Sequence, residues 1–200
     1  MKPAGFPDPL APATSAAVSA APPVLVVYAH PAHERARVNP ALTRAAEAVT
    51  GVEVHDLYEA YPDFLIDVET EQARLIRHSA VVLQFPMFWY STPALMKEWL
   101  DLVFLHGFAY GEGGTRLVGK TMLVATSTGG QSVAYGPSGG NRFTVEELLR
   151  PLEQTAFLCG MRWAEPFVVN GAATLDDGSL AAAQAAYAAR LSALAAEVAR

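Results

Sequence analysis

The sequence predicts a doubly wound α/β domain: a three-layer α/β/α sandwich around a five-stranded parallel sheet of order 2-1-3-4-5. Three observations carry this expectation. Residues 24–29 and 80–85 are near-continuous apolar runs rich in β-branched residues, as in strands buried on both faces. Strand and helix patterns alternate five times, which implies parallel strands joined by helical crossovers. The 200 residues are 52% hydrophobic and 17% charged, enough for one sizeable core and too few for a second. In a five-stranded sheet of this order the topology reverses between the first and third strands, and ligands bind at that reversal. A small Rossmann-type nucleotide domain is the alternative.

The elements follow in order. After the first strand, residues 39–49 read as a helix closed by Gly51. Residues 52–57 alternate apolar and polar, as an edge strand does. Residues 67–78 form a polar helix, and 80–85 the third strand in order along the chain. Thr92-Pro93 is a helix start, a capping hydroxyl followed by proline in the first turn. Leu95, Trp99, Leu102 and Val103 then share one face. Residues 120–126 are a buried strand. Thr144-Val-Glu-Glu147 spells a capping box with Phe143 and Leu148 as its staple, and Pro151 kinks or delays the helix that follows. Residues 162–170 are the last strand and 175–200 an alanine-rich final helix.

The net charge of −6 argues against nucleic acid or an anionic membrane as main partner. Cys159 is the only cysteine, which excludes an internal disulfide and a thiolate zinc site; it reads as a small buried hydrophobe. Residues 1–23 are rich in Ala and Pro and make a poor secretory signal, so they are expected to be a disordered extension to a domain spanning 24–200. No run reaches the length a membrane span needs, and a cytoplasmic location is expected.

Chemistry should sit beyond the carboxyl ends of the strands. After the first strand comes His30-Pro-Ala-His-Glu-Arg-Ala-Arg-Val-Asn39, directly before a helix whose first N–H groups would face an anion. His30, Arg37 and Asn39 add donors, which suits a flavin phosphate; a solvated polar loop is the plain alternative. After the third strand comes Pro86-Met-Phe-Trp-Tyr-Ser-Thr-Pro93. Four large apolar or aromatic side chains in succession on a loop suit a planar three-ring ligand such as isoalloxazine. Ordinary packing of the loop on the core is the alternative. After the fourth strand comes Ser127-Thr-Gly-Gly-Gln-Ser-Val-Ala-Tyr135, where Gly129 and Gly130 permit close backbone approach. Their N–H groups would stabilise negative charge at the pyrimidine end of a flavin. By themselves they read as a turn.

Tyr110-Gly-Glu-Gly-Gly114 resembles a phosphate loop only superficially, since it does not join a strand to a helix, and is expected to be a mobile surface loop. His30 and His33 lack a metal-binding pattern, and no metal site is expected. His55, His78 and His106 read as structural or solvated. The Asp and Glu residues form no paired constellation that the sequence alone places in one site.

At these loops the chain resembles the flavodoxin-fold NAD(P)H:quinone oxidoreductases, the DT-diaphorase-like family that includes the Kef-type ancillary proteins of glutathione-gated potassium efflux. The similarity runs from about residue 24 to about residue 167. It rests on QFPMFWYSTPALMKEWLDLVF, supported by YAHP and STGG, while LYEAYPDFLID and NRFTVEELLRPLEQTAFLCGMRW are Kef-like. The resemblance implies a flavodoxin-like fold with bound FMN, or alternatively FAD. It implies a ping-pong cycle in which NAD(P)H and then a quinone occupy the same place against the flavin. By position, His30 and Arg37-Val38-Asn39 would hold phosphate and ribityl chain. Pro86, Met87, Phe88 and Trp89 would line the isoalloxazine with Tyr90 beside them. Ser127, Thr128, Gly129 and Gly130 would meet its polar edge, and Tyr135 would lie over the active site as the catalytic tyrosine.

Two positions depart from the family pattern. Ala36 stands where Kef-type members often carry serine, with Arg37 as the compensating charge. Asn141 stands about where DT-diaphorase has the histidine that pairs with the tyrosine. The resemblance further implies a homodimer, with the Trp99 helix as the surface to consider. It also raises a second role: a regulatory subunit docked on a potassium/proton antiporter at the inner face of the membrane. A one-electron flavodoxin carrier ranks last, because the first loop is not rich in Ser and Thr.

Overall fold

The computed structural model describes residues 22–199. Of the extension expected over 1–23, residues 1–21 lie outside the described residues. Pro23 is already joined to the sheet: its carbonyl accepts from the Ser79 and Ala80 N–H groups at 2.9 and 3.0 Å.

The strands are β1 (Val24–Tyr28), β2 (Val52–Asp56), β3 (Ala80–Pro86), β4 (Thr121–Ser127), β5 (Arg162–Trp163) and β6 (Phe167–Val169). All pairings are parallel, in the order β2-β1-β3-β4-β5, with β6 also paired to β4. The expected order therefore holds. The register Tyr28↔Asp56, Tyr28↔Gln84 and Pro86↔Ser127 brings the carboxyl ends of β1 to β4 to one edge. The last strand differs from expectation by being broken in two. Met122 pairs with Trp163 but Ala125 with Phe167, so one extra residue is inserted between the pieces. Pro166 has no N–H for the ladder, and the break falls at the sheet edge, where such a bulge is tolerated.

The helices are α1 (Val38–Glu47), α2 (Leu57–Ala60), α3 (Val68–Arg77), α4 (Ala94–Val103), α5 (Val145–Leu148), α6 (Arg150–Leu158) and α7 (Asp177–Val198). Leu42 and Ala46 of α1 and Leu191 and Leu194 of α7 pack on Val24, Val26 and Val82 from one side of the sheet. Trp99 of α4, Leu75 of α3 and Leu152 of α6 pack on Leu25, Val81 and Leu83 from the other. Each such fully buried aliphatic side chain contributes about 1.5–3 kcal/mol. Cys159 is 2% exposed and belongs to the second cluster, as expected of a small hydrophobe.

Local sequence explains most helix ends. Asp67 caps α3 through the Thr70 N–H, and Thr144 and Glu147 form the expected capping box on α5. Pro151 lies in the first turn of α6, and the chain breaks between α5 and α6 at Leu149. Three expectations need correction. Thr92 does not cap α4: Pro93 takes the N-cap position, and the buried Thr92 hydroxyl has no partner among the described residues. Leu102 points outward, while Leu95, Trp99 and Val103 are fully buried. Trp99 itself is therefore core, and the outward side of α4 is formed by Lys97, Glu98, Asp101 and Leu102. The short α2 was not expected; Asp56 initiates it by accepting from the Tyr58 and Glu59 N–H groups. No helix among the described residues is long and apolar enough to cross a membrane.

Candidate functional site

Ten of the residues singled out from sequence line one cavity of about 250 Å³ at the carboxyl edge of β1, β3 and β4. His30, Arg37, Val38 and Asn39 come from the loop after β1 and the start of α1. Pro86, Met87 and Phe88 come from the end of β3 and the loop after it, and Ser127, Thr128 and Gly129 from the end of β4 onward. The register above explains the convergence, since the topology reverses between β1 and β3.

Asn39 is the most informative of these. It is 2% exposed; its Nδ2 donates to Ser127 Oγ at 2.7 Å, while its Oδ1 has no partner among the described residues. A buried acceptor left without a donor costs about 1–3 kcal/mol. A ligand hydroxyl or N–H supplies what the protein does not. The residue is held in place by a buried polar chain. Tyr187 donates to Gln84 Oε1 at 2.9 Å, and Gln84 Nε2 donates to Thr43 Oγ1 at 2.8 Å and to the Asn39 carbonyl at 3.2 Å. Sequence reasoning missed Thr43, Gln84 and Tyr187. The signal was available for Gln84, the one polar side chain inside the apolar run of β3.

The N-terminus of α1 has no side-chain cap, so its first N–H groups are left to face an anion. His30 is 8% exposed, and its Nδ1 accepts from the Ala32 N–H at 3.0 Å, which leaves Nε2 to carry the proton of the neutral ring. Burial first, and the neighbouring His33 second, lower its pKa and favour that neutral form. The His30 and Phe88 rings meet edge to face with centroids 6.0 Å apart, which ties the first loop to the second. Arg37 lines the cavity, yet its guanidinium engages Asp177 and the Leu175 carbonyl at the start of α7. Its charge is thus offset by a carboxylate in this conformation.

The other four residues sit elsewhere. Trp89 and Tyr90 occupy a two-residue turn between Phe88 and Ser91, which exchange hydrogen bonds at 3.0 Å. Both have positive φ, 48° and 64°. Such turns favour Asn and Gly, and two bulky residues in this region store strain. Trp89 is 92% exposed. Tyr90 donates its hydroxyl to Asn141 Oδ1 at 3.2 Å. A Cβ on Gly130 would lie 3.3 Å from both Asn141 Nδ2 and Tyr135 Cε2. Tyr90, Gly130, Tyr135 and Asn141 therefore form one group beside the cavity, and Asn141 pairs with Tyr90. Thr128 is structural: its hydroxyl lies 2.9 Å from both Gly130 O and Asn170 Oδ1 and donates its one proton between them. Ala172 and Ala173 also line the cavity and were missed. They follow β6, and the strand-end rule applied to the last strand would have found them.

A wider hollow of about 890 Å³ opens on the other side of His30, between α1 and β2. It carries Glu34, Glu47, Asp56 and Glu59 against Arg35 and the histidines. Burial raises the Asp56 pKa, though its backbone donors work the other way. Among the described residues no group of His, Cys, Asp and Glu is placed to hold a metal ion.

The sequence profile of the flavodoxin-like fold family matches residues 22–191. The chain is 44% identical over 170 residues to the glutathione-regulated potassium-efflux system ancillary protein KefG of Pectobacterium carotovorum, covering 85% of this chain and 93% of that protein. The crystal structure of general stress protein 14 from Treponema denticola, in complex with FMN, superposes with a TM-score of 0.83 at 34% identity, covering 86% and 99% of the two chains. That of an NADPH-quinone reductase from P. pentosaceus gives a TM-score of 0.76 at 31% identity, covering 84% and 96%. The chain belongs to the flavodoxin-like fold family, in its NAD(P)H:quinone oxidoreductase branch near KefG.

Proposed function

We propose that the chain is an FMN-dependent NAD(P)H:quinone oxidoreductase. One observation carries this reading. An uncapped helix start, a buried amide oxygen without a donor and an aromatic loop converge on the cavity at the β1/β3 reversal. The residues fit the cofactor. The α1 N–H groups and neutral His30 suit the phosphate, with Arg37 available if it leaves Asp177. The Asn39 Oδ1 suits a ribityl hydroxyl, which can donate where a phosphate oxygen cannot. Val38 borders the same stretch. Pro86, Met87 and Phe88 offer an apolar wall to a flat ring, with Trp89 and Tyr90 at its outer end. Ser127, Thr128, Gly129 and Gly130 frame its polar edge. A Cβ at Gly129 would meet nothing within 4 Å, so space for that edge exists.

The two-electron chemistry would be supplied by the bound flavin. The chain's own residues orient it, keep one face open for NAD(P)H and then the acceptor, and hold a proton near the site. Tyr135, half-buried beside Gly130, is the candidate donor to the acceptor. FMN is preferred over FAD on electrostatic grounds. The hollow next to the phosphate end is lined by four carboxylates, which disfavour a second phosphate group. The FMN bound to the Treponema relative supports the same choice.

The reading extends to assembly and place. A homodimer is proposed, with the outward side of α4 and the neighbouring turn at exposed Trp89 as the interface. Residues 24–200 would form the flavin domain and 1–23 an extension. The likeness to KefG supports a second, compatible role as a cytoplasmic partner of a potassium/proton antiporter.

The test is an absorbance spectrum of the purified protein, followed by anaerobic NADPH and then a quinone. Flavin bands that bleach with NADPH and return with quinone are expected. A colourless protein that takes up no added FMN or FAD would overturn the proposal and leave the antiporter role to pursue.

A further inference from the structure

The loop that lines the candidate site has a second side. Pro86, Met87 and Phe88 face the first cavity, while Tyr90, Ser91 and Thr92 form a wall of another, of about 400 Å³. That size is typical of small-molecule sites. Its body is apolar, built from Phe85, Leu100, Phe104, Leu149 and Leu152, with the Cys159 thiol among them. Its polar lining comes from Tyr90, Ser91, Thr92, Tyr110, Thr155 and one ion pair. Lys97 and Asp101 pair at 2.6 Å and cancel in charge. The Thr92 hydroxyl is buried without a partner among the described residues. Thr92 was the expected cap of α4, so its release from that role needs another account.

We infer that this cavity receives the isoprenoid tail of a membrane quinone whose head is reduced at the neighbouring site. The inference rests on the quinone-reductase reading and names the class of acceptor. The charge balance excludes preference for an ionic ligand. The aliphatic lining fits a branched hydrocarbon, and burying each methylene in it contributes about 0.8 kcal/mol. The two cavities share the strained turn as their partition, so head and tail of one molecule would lie on either side of Tyr90. Tyr90 is held to Asn141 beside Gly130. Thr92 lines the same cavity, and its unpartnered hydroxyl is a donor whose hydrogen bond a polar group of the quinone beside the tail would accept.

The experiment compares ubiquinone-0, which has no tail, with ubiquinone-2, using the FMN-loaded full chain. A KM at least tenfold lower for ubiquinone-2 is expected. Thr155→Trp, which places a large side chain into the cavity from α6, should bring the ratio of the two KM values close to one. Gln154→Trp, on the exposed side of the same helix, should leave the ratio as in the wild type. Farnesol gives a readout free of turnover. It should bind the wild type in calorimetry, slow alkylation of Cys159, and do neither in Thr155→Trp. Reduction of ubiquinone-0 with no gain from the tail, or a gain that survives Thr155→Trp, overturns the tail site while the oxidoreductase reading stands. Thr155→Trp that converts a wild-type dimer to monomer overturns it in favour of a second copy filling the cavity. Failure to bind flavin at all overturns the parent reading, and farnesol binding then tests the cavity alone.

Discussion

Trp99 donates its indole N–H to the Glu71 carboxylate across 2.8 Å, and neither side chain reaches solvent. Tyr61 donates to the other carboxylate oxygen at 2.8 Å, and His55 Nε2 lies 2.9 Å from that same oxygen. One acid thus joins β2, the chain after α2, α3 and α4. The helix it pins, α4, begins directly after the strained turn of the candidate site. Burial works against the anion, but His55, Trp99 and Tyr61 outweigh it and the Glu71 pKa is lowered.

Replacing Glu71 should therefore be severe. Glu71→Ala strands the buried Trp99, Tyr61 and His55 groups and should cost about 3–5 kcal/mol, as loss of one partner of a buried pair does. Glu71→Gln keeps one acceptor oxygen of the two and should cost less. The sign of the pH dependence follows from the lowered native pKa. The carboxylate's contribution is fully present above its ordinary value of 4.5 and is lost as pH falls through the native value. Urea unfolding of wild type and Glu71→Gln from pH 7 to 3 should show the gap closing at the acid end. A gap independent of pH would contradict an ionised Glu71.

The network also shows where sequence reading stopped. Strand order, the buried runs of β1 and β3, the capping box and the three site loops were legible, because each is written in local pattern or in the topology that pattern implies. Glu71 was not. It sits in an otherwise polar helix, and its partners are 10, 16 and 28 residues away, brought together only by packing. Tyr187 reaches Gln84 across a separation of 103 residues for the same reason. The pairing of Arg37 with Asp177 likewise joins distant loops, and no local signal announces it.

Asn39→Ala should weaken FMN binding while leaving the fold intact. It removes the buried acceptor offered to the ribityl chain and frees the Ser127 hydroxyl from its 2.7 Å bond. A loss of about 1–3 kcal/mol corresponds to a roughly 5- to 150-fold higher Kd. Titration of apoprotein by quenching of FMN fluorescence measures it. Unchanged affinity would remove Asn39 from the site.

The turn at Trp89 and Tyr90 should trade stability for function. The pair Trp89→Asn with Tyr90→Gly supplies the residues that positive φ favours at both positions. Relief of about 1–2 kcal/mol should raise Tm by a few degrees. The same change removes the aromatic wall and the hydroxyl bonded to Asn141, so the KM for quinones should rise. Calorimetry and steady-state kinetics on one preparation read both effects. A lower Tm would mean that the turn is not strained.

Tyr135→Phe should lower kcat only modestly. The ring packs partly against the core and a Gly130 Cβ would touch it, so phenylalanine keeps its place. Asn141 stands where a histidine would back the hydroxyl, and it is bound to Tyr90 instead. A lone hydrogen bond to the acceptor is worth about 1 kcal/mol, or roughly fivefold. A loss of a hundredfold or more would make Tyr135 an essential proton donor.

The glycines of the loop after α4 separate packing from phosphate binding. A Cβ on Gly114 would fall 2.0 Å from the Tyr110 carbonyl oxygen, a clash with backbone that no rotamer relieves. Gly114→Ala should therefore cost about 1–3 kcal/mol, as overpacking does. Gly113 faces open space but has φ +75°, so Gly113→Ala should cost about 1–2 kcal/mol through backbone conformation alone. Both variants should bind FMN as the wild type does once folded, because the loop lies outside the cavity at the β1/β3 reversal. Denaturant midpoints and FMN titrations together decide this. A Gly114→Ala protein of normal stability that has lost FMN would return the loop to the site, and would mean that the tight approach to Tyr110 opens when the cofactor binds.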